Sequence, residues 1–203
     1  SEGAGVAVLV SSDVTLRGNW ISSNGPTAGG TASGGGGVFC DSSNVSLCGN
    51  NIYGNTGGNG AGLYFVKNTD VQGSYIYASR NYVYGNTNRG LSSVALGGGV
   101  RIETRGGNED YALESLQFIN NSIYDNDFAP PAVGAVITER SGGGVHVDVY
   151  LTERPSHFIG NAIYGNKAEH FGGGIFLRAL EPHLSTGEPI PSLLFSHNTI
   201  AHN

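Results

Sequence analysis

The chain has 203 residues, enough for one substantial domain, with 34 glycines, 19 asparagines, no methionine and only 10 Lys plus Arg against 16 Asp plus Glu. So much glycine and asparagine excludes a mainly helical protein, while 38% hydrophobic and 13% charged residues exclude a disordered one. A formal net charge of −6 excludes the basic face that a nucleic-acid partner requires, and no apolar run reaches the roughly 20 residues of a membrane helix.

In chain order, "GAGV" at Gly3 opens a segment in which Val6, Val8 and Val10 alternate with other residues. That is the period of a strand with one buried face. A second segment passes through Leu16 into "NWISSN" from Asn19, where Ile21 is the next apolar position. The same pair of blocks then returns five times. "GGGV" at Gly35, "GAGL" at Gly60, "GGGV" at Gly97 and Gly142 and "GGGI" at Gly172 alternate with "NNIYGN" from Asn50, "NYVYGN" from Asn81, "NSIYDN" from Asn121, "NAIYGN" from Asn161 and "NTIAHN" from Asn198. The third glycines, Gly5, Gly37, Gly62, Gly99, Gly144 and Gly174, lie 32, 25, 37, 45 and 30 residues apart. Two fixed blocks inside a varying period predict a solenoid with loops of variable length.

Each repeat therefore reads as one coil, and like positions form inward columns. One runs Leu16, Leu47, Ala78, Phe118, Phe158, Phe195; another runs Ile21, Ile52, Val83, Ile123, Ile163, Ile200. Strands related in this way are parallel, with crossovers of coil length and the right-handed sense usual for such connections. The expected fold is all-β: a single right-handed parallel β-helix of about six coils, with residues 1–203 as one domain. Asn19, Asn50, Asn81, Asn121, Asn161 and Asn198 read as an asparagine ladder. On this reading asparagine takes the left-handed turn conformation itself, and its amide bonds to the rungs above and below.

The alternation of "GGGV" with "N-x-I-Y-G-N" resembles right-handed parallel β-helix repeats. More narrowly it is similar to the polymorphic outer membrane protein type, on "FINN" at 118–121, "FIGN" at 158–161 and "FSHN" at 195–198. Leu16, Leu47 and Ala78 replace the aromatic residue in the other three coils. The resemblance spans the chain and implies a passenger-like or adhesin-like protein, extracellular or on the cell surface. Such folds also carry polysaccharide lyases and hydrolases, which keep their sites on the outward face of the glycine-led strand.

That outward face bears Ala7/Leu9, Phe39/Asp41, Tyr64/Val66, Arg101/Glu103, His146/Asp148 and Phe176/Arg178. Arg101, Glu103, His146, Asp148 and Arg178 thus fall within neighbouring rungs. An arginine there can neutralise a uronate carboxylate while a histidine or carboxylate handles the proton. The competing reading is that these charges pair with one another on an edge-facing strand. "NTD" at 68–70 and "RIE" at 101–103 half-match pectin-hydrolase motifs. Three-residue matches in a chain this rich in asparagine carry nothing, and an enzyme is not the favoured expectation. Tyr53, Tyr84, Tyr124 and Tyr164 alternate with buried Ile or Val and form an outward column. It is either a self-stacked ladder or a platform for glycans.

His146 and Asp148 could supply two metal ligands but the spacing offers no third, so neither metal nor cofactor is expected. Cys40 and Cys48 stand across a turn. Alternation points one inward and the other outward, so a disulfide requires the turn to rotate one of them. The chain begins without methionine, as a processed or partial chain would, and neither end shows a capping helix. The expected partners are therefore a longer parent chain or further copies stacked end to end.

Overall fold

The computed structural model describes residues 5–10, 13–25, 34–67, 75–90, 94–105, 113–130, 138–150, 155–180 and 193–203. The described residues form strands and turns, with no helix among them. Coil one carries β1 (Val6–Leu9), β2 (Val14–Arg17) and β3 (Trp20–Ser22). Coil two carries β4 (Val38–Asp41), β5 (Val45–Cys48), β6 (Asn51–Tyr53) and the short β7 (Thr56–Gly57). Coil three has β8 (Leu63–Lys67), β9 (Tyr75–Ser79), β10 (Tyr82–Tyr84), β11 (Thr87–Asn88) and β12 (Val94–Leu96). Coil four has β13 (Val100–Thr104), β14 (Ser115–Ile119), β15 (Ser122–Tyr124), β16 (Asp127–Phe128) and β17 (Glu139–Ser141). Coil five has β18 (Val145–Tyr150), β19 (Ser156–Ile159) and β20 (Ala162–Tyr164), and coil six has β21 (Ile175–Leu180), β22 (Leu193–Ser196) and β23 (Thr199–Ala201).

Three six-stranded sheets follow, in the orders β1-β4-β8-β13-β18-β21, β2-β5-β9-β14-β19-β22 and β3-β6-β10-β15-β20-β23. A three-stranded and a two-stranded sheet, β7-β11-β16 and β12-β17, join them. All pairings are parallel. The columns expected from the repeats are in register, including Leu47 with Ala78 and Ile123 with Ile163. One continuous core results, in which Leu47, Ile52, Phe65, Ile102, Phe118, Ile123 and Phe158 are essentially inaccessible to water. Fully burying each such side chain contributes roughly 1.5–3 kcal/mol. This is an all-β parallel solenoid of six rungs.

Asparagine ladders close the turns, and there are two of them. The first is the expected one. The backbone N–H and Nδ2 of Asn50 both donate to Oδ1 of Asn81, at 3.0 and 2.9 Å, while Nδ2 also donates to the Leu16 carbonyl at 2.9 Å. The pattern continues from Asn19 to Asn198. The second ladder uses the last asparagine of each six-residue block: Asn24, Asn55, Asn86, Asn126, Asn166 and Asn203. Each interior ladder amide thereby uses both N–H donors and both lone pairs, its full capacity. This explains how Asn50, Asn55, Asn86, Asn126 and Asn166 tolerate complete burial.

One expectation about the turns is corrected. The ladder asparagines do not take the left-handed conformation; the residue before each of them does. Before the first ladder stand Gly18, Gly49, Arg80, Asn120, Gly160 and His197, with φ between 54° and 67°. Before the second stand Ser23, Gly54, Gly85, Asp125, Gly165 and His202. The work is thus divided. One residue bends the chain, and the next, freed from that constraint, aims its amide along the stack.

Candidate functional site

The glycine-led strands β1, β4, β8, β13, β18 and β21 place the outward residues as the alternation requires. Arg101 pairs in register with Tyr64 and His146, and Glu103 with Val66 and Asp148. Their environment is not the open edge that the alternation suggests. Phe39, Tyr64 and Val66 form a second, smaller apolar cluster, and Glu103 and His146 are buried as well. The glycine turns explain part of this, because they lie over the roots of these side chains. A Cβ on Gly97 would stand 3.0 Å from the Arg101 Cβ, and one on Gly142 only 2.7 Å from that of His146.

Within this layer the charges neutralise one another. Glu103 accepts from the Arg101 guanidinium and, at 2.7 Å, from Nε of Arg105. Tyr64 Oη hydrogen-bonds Glu103 and accepts from Arg105 at 2.7 Å, and the Arg101 guanidinium lies 5.3 Å from the Tyr64 ring centroid. Arg101 also donates to Oδ1 of Asn59. Burial pushes the Tyr64 phenol well above its ordinary range, aided by the Glu103 charge and opposed by the two arginines. One rung on, Asp148 is held by both nitrogen positions of Arg178, Nε donating at 2.8 Å. Both carboxylates are thus engaged in ion pairs.

His146 stacks on Phe176 with centroids 4.7 Å apart, and its Nδ1 is a buried atom without a hydrogen-bond partner. Burial pulls its pKa down to about 4, with the Arg101 and Arg178 charges acting the same way and Asp148 and the Ser141 backbone opposing. The imidazole is thus held neutral near pH 7 and packed on a phenyl ring. The structure therefore gathers all five charged candidates but closes them into ion pairs and a stacked ring. Tyr64, Asn59 and Arg105 belong to the same network. Tyr64 was visible as the register neighbour of Arg101, Arg105 stands two residues beyond Glu103 on the same stretch, and nothing in the spacing pointed to Asn59.

Tyr53, Tyr84, Tyr124 and Tyr164 form the column expected of them. Their rings are parallel to within 6°, with centroids 5.0, 4.8 and 5.0 Å apart. Rings stacked at the rung spacing turn their faces to each other and their edges to solvent. Trp20 meets Tyr53 edge-on at 6.1 Å, and Ala201 is the register partner of Tyr164 at the other end. Among the described residues Tyr164 is thus the one member whose outer face meets no aromatic neighbour.

Cys40 lies in the core and Cys48 faces outward, and both thiols are free. Among the described residues no group of three or more His, Cys, Asp or Glu stands together, and no helix is long and apolar enough to cross a membrane. Asn68–Asp70 and His183 lie outside the described residues. Fold and site together define a parallel β-solenoid with ladder-closed turns and internally paired charges. Comparison of the chain with family models, with curated proteins and with solved structures finds no match.

Proposed function

We propose that this chain is an extracellular structural β-helix of the adhesin or autotransporter-passenger kind, and that its rungs stack end to end on further copies. The observation that carries this reading is the polarity of the two ladders. From coil to coil the asparagine N–H and one Nδ2 hydrogen donate to Oδ1 of the following coil, Oδ1 accepts from the preceding one, and the other Nδ2 hydrogen donates back to a main-chain carbonyl of the preceding coil. Continued past coil six, the ladders would use the N–H groups of Asn198 and Asn203, the Nδ2 of Asn203 being already spent on the Ile163 and Ala201 carbonyls, and continued before coil one they would use the Oδ1 atoms of Asn19 and Asn24. Coil six also leaves Leu177, Phe195 and Ile200 about 40% exposed, although the same columns are sealed in the middle of the stack. Further coils in register, whether of a parent chain or of a second copy, would continue both ladders and cover these residues; a second copy would do so through a head-to-tail, non-closing contact. The surface location rests on the resemblance of the repeats to passenger domains, and the paired charges favour a scaffold over a catalyst.

Sedimentation velocity and electron microscopy across a concentration series test the reading. Wild type should form rods lengthening by about 29 Å per copy, six rungs of roughly 4.8 Å, and Ile200→Lys should remain a single 21.0 kDa species. A wild type that stays monomeric at every concentration overturns end-to-end stacking. Release of unsaturated or reducing sugar ends from acidic or neutral glycans, abolished by Arg101→Ala, would replace the scaffold reading with an enzyme.

A further inference from the structure

We propose that the outer face of β2, β5 and β9 holds a binding site for a doubly charged oxyanion, a phosphoryl or sulfate group. A groove of about 360 Å³ lies there, lined by Thr15, Arg17, Cys48, Tyr77, Ser79 and Arg80. The register Arg17 with Cys48 with Ser79, beside Thr15 with Ser46 with Tyr77, brings these side chains to one face from three successive coils.

Charge singles this groove out. Arg101, Arg105, Arg140, Lys167 and Arg178 are all in ion pairs. Arg17, Arg80 and Arg89 make none among the described residues, although the chain carries 16 acidic residues against 10 basic ones, and two of these three arginines meet in this groove. No carboxylate lines the groove. Two guanidiniums and the hydroxyls of Thr15 and Tyr77 offer donors to an oxyanion, while Ser79 Oγ donates to Cys48 Sγ at 3.7 Å, and two positive charges match the anion's two negative ones. The groove is also larger than a bare tetrahedral anion, which leaves space for a group that bears it.

The backbone adds an independent observation. Arg80 sits at φ 54° in the column where coils one, two and five use glycine. An arginine holds this left-handed position against its intrinsic preference, and the turn delivers its guanidinium to the groove.

Cys48 makes the site measurable, because it lines the groove while Cys40 is buried. The rate at which an uncharged disulfide, 2,2′-dithiodipyridine, modifies Cys48 in the native chain is followed in sodium phosphate, sodium sulfate, glucose 6-phosphate and ionic-strength-matched sodium chloride. An occupied groove shields the thiol, so modification should slow roughly ten-fold when the anion stands at ten times its Kd, and chloride should not reproduce the effect. Arg80→Gly, which installs the residue that three other coils already carry, should fold and lose the protection, and Arg17→Gln should lose it too. Stronger protection by glucose 6-phosphate assigns the site to an ester-borne phosphoryl group, and equal protection assigns it to the free anion. Slowing no greater than in chloride, or protection undiminished in Arg80→Gly, overturns the proposal.

Discussion

Removing one rung of a ladder should cost far more in the middle of the stack than at its end. Asn81 takes part in four side-chain hydrogen bonds. Its Oδ1 accepts from N–H and Nδ2 of Asn50 at 3.0 and 2.9 Å, and its Nδ2 donates to Oδ1 of Asn121 and to the Leu47 carbonyl at 2.9 and 3.0 Å. Asn81→Ala deletes all four at a site sealed from water, where replacement partners are absent. At about 1 kcal/mol for each buried bond, the loss is about 4 kcal/mol, a large share of the stability of a domain this size. Asn19 is the control. It donates twice to Asn50 but only once through its side chain, and it is exposed, so Asn19→Ala should cost about 0.5 kcal/mol. Urea unfolding followed by intrinsic fluorescence, with the midpoint converted through a common m value, measures both. If the two variants lose equal stability, or Asn81→Ala loses less than about 1 kcal/mol, the side-chain ladder is not what holds the turns.

His146 should make stability fall with acid. Its folded pKa of about 4 lies below the ordinary 6.5, so the unfolded chain takes up the proton first. The contribution is complete above pH 6.5 and is lost as pH drops from there toward 4, up to about 3 kcal/mol. His146→Phe, which preserves stacking on Phe176, should flatten this part of the urea-midpoint profile, and an unchanged slope would contradict the assignment. Glu103→Gln should destabilise by about 3–5 kcal/mol, since it leaves the Arg101 guanidinium in a buried site without its counter-charge; a loss below about 1 kcal/mol in the same unfolding assay would show that the network is solvated. Arg80→Gly should raise stability by about 1 kcal/mol by removing a strained left-handed residue, visible as a higher melting temperature; a fall would mean that the side chain holds the turn.

Much of this architecture could be read directly. Apolar positions two apart, Val145, Val147 and Val149 for example, mark strands, and the repeats bring Ile52 over Ile21 and under Val83 in the order observed. The second ladder is equally legible, since Asn55 and its counterparts close every block. Local reasoning also gave the bend to asparagine because asparagine tolerates it. Only the full geometry shows that Gly49 or Arg80 bends and Asn50 or Asn81 bonds. The candidate site was legible in its membership and not in its environment. Alternation says that Glu103 and His146 point away from the main core, yet a period of two cannot tell solvent from a glycine turn folded across the strand.

The ladders have one more consequence. Both connect rungs separated by the same 31, 31, 40, 40 and 37 residues, so all variation in coil length falls outside the five-residue step between them. Each asparagine bonds only its like and a main-chain carbonyl, which any residue supplies, in the adjoining coils, so a coil inserted or deleted whole leaves every remaining amide matched. Duplication within the gene can therefore change the reach of the molecule as a ruler is cut or extended, mark by mark, while each connecting segment is free to diverge on its own.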